Sequence, residues 1–238
     1  MPTRPASPYH HGDLRQAMLQ AAAEVLEELG LERFTLRECA RRAGVSHGAP
    51  AHHFGDVRGL LTALVAQGFE QLLSWMDEHE AVALRDAFSQ LAANGSAYLA
   101  FALAHRALFQ LMFRSDRVDW QDAALAQAGE RAHARLKAHI AAVSNAPKLL
   151  DARVAFAWSM VHGLATLTLE NQLFAGDAKG RSASALALWD LFVQLMKPGL
   201  TAPANALLPS APALATSGHR GAKLLKRRTA GQAAHLKR

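Results

Sequence analysis

Thr35-Leu-Arg-Glu-Cys-Ala-Arg-Arg-Ala-Gly-Val-Ser-His-Gly-Ala-Pro-Ala-His-His-Phe54 reads as two short helices joined by a tight turn. Thr35 occupies an N-cap position with Glu38 three residues later, the pattern of a capping box. The first helix spans 36–43 and meets Gly44, which can adopt the positive φ that such a turn requires. Ala40 is small enough to let the second helix approach the first. Val45 is an apolar plug with Leu36 beneath it, and Ser46 is predicted to cap a helix ending near Phe54. His47, Gly48, Ala51 and His52 then point outward, short or hydrogen-bonding groups of a size that a DNA major groove admits.

Upstream, Leu14, Met18, Ala21, Val25 and Leu29 recur at three- and four-residue steps, predicting a helix from an Asp13 cap to Gly30. Downstream, Asp56 caps a long helix over 57–80. Further helices follow at about 84–106, 106–114, 119–144, 150–174 and 183–196. The chain therefore divides into a flexible arm (1–11), a helix-turn-helix unit (12–58) continuing into the linking helix 57–80, a helical domain (59–198) and a disordered tail (199–238). The expected fold class is all-α: a three-helix helix-turn-helix domain followed by a helical bundle.

Composition excludes several alternatives. Half of the 238 residues are hydrophobic, enough for a sizeable core. No apolar run approaches the ~20 residues of a membrane span, and the first residues lack a signal-peptide core, so the chain reads as cytoplasmic and not membrane-bound. Cys39 is the single cysteine, which excludes an internal disulfide. The histidines at 10, 11, 47, 52 and 53 lack metal-ligand spacing, so no metal and no cofactor are expected. No nucleophile–base set or phosphate loop marks an enzyme. The net charge of +6 resides in the tail: residues 199–238 hold seven basic and no acidic residues, while the rest holds nineteen basic and twenty acidic. Overall basicity is therefore no argument that the folded part binds DNA.

In order and spacing, His11-Gly-Asp-Leu14, Thr35-Leu-Arg-Glu38, Ala43-Gly-Val-Ser46, His53-Phe54 and Leu60-Leu61 resemble the DNA-binding domain of TetR/AcrR-type transcriptional regulators, over roughly residues 9 to 70. Trp158-Ser-Met-Val-His-Gly163 is similar to the Trp…His-Gly signature of one subgroup's C-terminal domain. The resemblance implies that Thr35 and Arg37 touch the DNA backbone, that Ser46, His47, Gly48 and Ala49 lie at the groove, and that His52 and His53 lie near phosphate or base edges. Two positions depart from the family pattern. Ala51 stands where the family usually has an aromatic phosphate contact, and Val57-Arg58 replaces Lys-Glu, leaving Arg58 as the basic group for phosphate.

The helical domain is rich in Phe, Trp and Met. Phe69, Trp75, Phe101, Phe109, Met112, Phe113, Trp158 and His162 are the candidate lining of a pocket for a small hydrophobic effector. The resemblance further implies a homodimer formed by the last two long helices, with Ala155, Ser159, Gly163, Ala187 and Trp189 as candidate interface residues. Two-fold symmetry would present two recognition helices to double-stranded DNA one helical turn apart (~34–36 Å), on a palindromic operator. The expected function is that of a sequence-specific regulator, a repressor released from DNA by its effector.

Overall fold

The computed structural model describes residues 11–46, 48–114 and 116–207. Residues 1–10 of the expected arm (1–11) and the tail from residue 208 lie outside the described residues. Among the described residues ten α-helices follow one another: α1 (His11–Leu29), α2 (Leu36–Arg42), α3 (Ala49–Phe54), α4 (Val57–Val82), α5 (Ala87–Ala104), α6 (Arg106–Met112), α7 (Ala123–Val143), α8 (Leu150–Leu169), α9 (Ala178–Thr201) and α10 (Ala204–Leu207). Among the described residues there is no strand, and no helix is long and apolar enough to cross a membrane. The all-α expectation holds.

Helix α4 is the beam of the structure. Its 26 residues extend about 39 Å at 1.5 Å per residue. Leu60, Leu64, Leu72 and Met76 recur along its buried side, so it packs against α1 and α3 at one end and against α5, α6 and α7 farther along. At its far end Arg135 of α7 grips Glu80 through two hydrogen bonds of 2.9 and 2.6 Å and Asp77 through a third of 2.6 Å. Asn94 of α5 and His139 of α7 also reach the Glu80 carboxylate. Three helices are thereby pinned at one point, with the charges paired and hydrogen-bonded as burial requires.

Several boundaries differ from the expected ones. Helix α1 already includes His11, two residues before the expected Asp13 cap, whose side chain lies outside the described residues. Helix α9 starts at Ala178, because the Asp177 carboxylate accepts from Gly180 N at 2.7 Å and absorbs the Gly-rich break into a helix start. The same helix runs through Pro198-Gly199 to Thr201, and α10 follows, so the expected disordered tail from 199 is corrected. Packing overrides the punctuation here: Leu200 is buried, and the buried Arg153 guanidinium donates to the carbonyls of Gly199 and Ala202.

Candidate nucleic-acid interface

Helix α2 is set by its cap. Thr35 Oγ1 accepts from Glu38 N at 3.2 Å. The reciprocal half of the capping box is not made. Glu38 turns instead to Arg41 (2.8 and 2.7 Å) and Arg42 (2.9 Å), whose hydrogen bonds hold its pKa down to about 2. Arg42 also reaches Glu28 of α1 at 2.7 Å, tying α2 to α1. Gly44 has φ +67°, and Val45 N donates to Ala40 O at 3.0 Å, closing the turn over the buried Ala40. Cys39 is fully buried and desolvation pushes its thiol up to about 11, so it behaves as a small hydrophobe.

Helix α3 begins at Ala49, with Gly48 in the cap position and no side-chain cap bond, so Ser46 is not the expected cap. The reason is Pro50. Its fixed φ and missing N–H suit the first turn of a helix, which places the cap and the start two residues later. Pro50 and Phe54 face inward, while Ala51 and His52 are exposed and His53 is half-buried. Thr35, Arg37, Ser46 and Gly48 are exposed on the same module. His47 and the Ala49 side chain lie outside the described residues. Six arginines oppose seven carboxylates over residues 12–58, so the module has no excess positive charge of its own.

Arg58 does not stand free for phosphate. Its guanidinium donates to Val118 O at 3.0 Å and lies 4.0 Å from Asp119. Thr62 Oγ1 donates to Arg58 O at 2.7 Å and accepts from Asp119 N at 2.9 Å. The first turns of α4 are thus stitched to the α6–α7 segment. Glu27 of α1 completes the junction by accepting from Ala107 N at 3.0 Å, supplying a cap that α6 lacks from its own chain neighbours. Sequence reading missed this junction because its partners lie 57 to 81 positions apart. A cleft of about 230 Å³ lies beside it, lined by Arg15, His53, Phe54, Thr62, Asp119 and Asp122 among others.

The candidate effector residues separate into two groups. Trp75 and Phe101 meet each other and His105, with centroids 4.8 to 6.0 Å apart. Phe69, Phe109, Phe113, Trp158 and His162 gather elsewhere: Phe113 is 6.4 Å from Phe69, 5.1 Å from Phe109 and 4.6 Å from His162. Met112 is fully buried between α4 and α6, its sulfur close to Gly68. Trp158 Nε1 donates to Tyr98 OH at 3.5 Å, and that hydroxyl shares a hydrogen bond of 2.8 Å with His162 Nδ1. Burial lowers the His162 pKa, which favours the neutral ring. Of the candidate interface residues, Ala155, Ser159 and Ala187 are exposed and Gly163 is half-buried. Trp189 is corrected: it is buried against Gly95 inside the subunit and donates to Ala92 O at 2.9 Å.

Residues 18–64 match the family model for bacterial regulatory proteins of the tetR family, and residues 91–196 match the Tetracyclin repressor-like C-terminal domain. The HTH-type transcriptional regulator BetI of Stenotrophomonas maltophilia (strain R551-3) is 34% identical over 79 residues, 33% of this chain and 40% of that protein. BetI of Escherichia coli (strain K12 / DH10B) is 40% identical over 58 residues, 24% of this chain and 30% of the regulator. The match thus spans less than half the length of these curated relatives. Among solved structures, a protein of unknown function from Rhodococcus sp. RHA1 superposes with TM-score 0.64 at 32% identity, covering 77% of this chain and 97% of that one. The TetR family transcriptional regulator PfmR from Thermus thermophilus shares the fold, with TM-score 0.56 at 17% identity over 76% and 95% of the two chains. Both halves of the chain match the same family and so does the whole fold; the chain belongs to the TetR family.

Proposed function

We propose that the protein is a cytoplasmic, homodimeric repressor that reads a palindromic operator and is released by a small hydrophobic effector. The observation that carries this reading is α3, propped by α2 and the Gly44 turn with Ala51 and His52 exposed. Ser46, His47, Gly48, Ala49, His52 and His53 are the proposed groove and phosphate contacts, with Thr35 and Arg37 on the backbone. Arg58 is reassigned to the junction, since its guanidinium is already engaged there.

A neutral module has little electrostatic affinity of its own, so two must act together. The proposed pairing surface is the outer face of α8 and α9. Phe156, Leu167, Leu191 and Leu195 are 43, 43, 59 and 73% exposed there, beside the small Ala155, Ser159 and Ala187. Such an apolar face rarely stays open to water on a soluble chain. The double variant Leu191→Glu/Leu195→Glu is expected to sediment as a folded monomer. Its operator affinity should fall by about 100-fold as the second half-site contact is lost. A variant that stays dimeric, or a monomer with undiminished affinity, would refute the pairing.

A further inference from the structure

Resting on the effector reading, we infer that Trp120 is the polar anchor of the effector site, and that its ligand is a neutral, aromatic-sized molecule carrying a carbonyl-type hydrogen-bond acceptor. Trp120 lies on the segment between α6 and α7, and its indole Nε1 is buried. No described residue offers that N–H an acceptor, the one such case among the described side chains. A buried donor left unmade is costly, and each case in a folded protein calls for a cause. A ligand oxygen brought to Nε1 would remove the penalty, and binding would gain from it.

The surroundings define the rest of the ligand. The Trp120 ring meets Phe69 edge-on at 6.1 Å, and both rings pack against Gly129 of α7, where a Cβ would lie 3.5 Å from the indole. Phe69 passes the cluster on to Phe113, and Phe113 to His162 and Trp158. Phe69 and Phe113 are apolar, so a charged group beside them would be desolvated without compensation, while a neutral carbonyl would meet the Trp120 donor.

The position also explains how binding would reach DNA. Trp120 directly follows Asp119, whose amide is bonded to Thr62, and Val118, whose carbonyl holds Arg58. A ligand that moves the indole must move this segment, and with it both stitches on the first turns of α4. Those turns follow α3 after only two residues, Gly55 and Asp56.

The test compares 2-acetonaphthone with 2-ethylnaphthalene, which have the same outline but only one of which has an acceptor. Calorimetry on the full chain should give about tenfold tighter binding for the ketone, the value of one buried hydrogen bond. That ratio should fall to near one in Trp120→Phe. In wild type the Trp120 indole N–H resonance, identified among the four tryptophans by its loss in the variant, should shift with the ketone and not with the hydrocarbon. Equal ratios in the two proteins, an unmoved indole resonance, or no binding of either probe overturns the assignment. If the ketone binds through Trp120 but leaves DNA affinity unchanged, the site stands and the effector reading falls. If it releases DNA equally from Trp120→Phe, the effector reading stands and the Trp120 site falls.

Discussion

Gly59→Ala is expected to weaken operator binding about 100-fold while the helical bundle stays folded. A Cβ at Gly59 would lie 1.9 Å from the carbonyl oxygen of Phe54 and 3.0 Å from its carbon. These are backbone atoms, so no rotamer change relieves the overlap. The same carbonyl accepts from Asp56 N at 2.9 Å, and Asp56 caps α4 through Gly59 N at 2.8 Å. The α3–α4 corner is therefore closed around the missing side chain. The added methyl must push the end of α3 away from α4 or unwind the first turn of α4. Overpacking of this kind costs about 2–3 kcal/mol. A functional loss of similar size is expected, because base-edge contacts worth ~1–3 kcal/mol each depend on the placement of α3. Fluorescence anisotropy should show a loss of about 100-fold in affinity, with the bundle's circular dichroism retained. Wild-type affinity would mean that the corner does not position the reading helix.

Gly95→Ala should have the largest effect on stability. Its Cβ would fall 2.0, 2.6 and 2.7 Å from three atoms of the Trp189 ring. Trp189 is 2% exposed and its indole donates to Ala92 O, so the ring has neither space to move into nor freedom to turn. Moving it forfeits that hydrogen bond (about 1 kcal/mol) in addition to the overpacking cost, a total of about 2–4 kcal/mol. A thermal melt should shift down by roughly 5–15 °C. A shift below about 1 °C would contradict the packing of α5 on α9.

How far the sequence could be read depended on how local each determinant was. Thr35, Gly44 and Asp56 were legible because a cap or a positive φ is decided within four residues. Ser46 misled because Pro50, four positions away, was the stronger start signal. Pro198-Gly199 misled for the opposite reason: the distant Arg153 and the burial of Leu200 sustain a helix that local signals would end. Trp189 looked like an interface residue because nothing in its own helix reveals that Gly95 leaves a slot for it. Arg58 was read from its place at the start of α4, whereas its partners come from a segment sixty residues on. The aromatic residues announced a hydrophobic domain, but only the tertiary arrangement separates Trp75 and Phe101 from the cluster around Phe113 and adds Trp120 to it.

The central claim is that α2, the Gly44 turn and α3 read duplex DNA from a two-fold dimer. Selection of bound duplexes from a random-sequence pool, followed by titration of the enriched sequence, tests it most directly. The expected product is an inverted repeat with half-site centres about one helical turn apart, bound at roughly 10⁻⁸–10⁻⁹ M and at least ~10³-fold tighter than random duplex. A pool that stays random after repeated rounds at low salt would contradict the account.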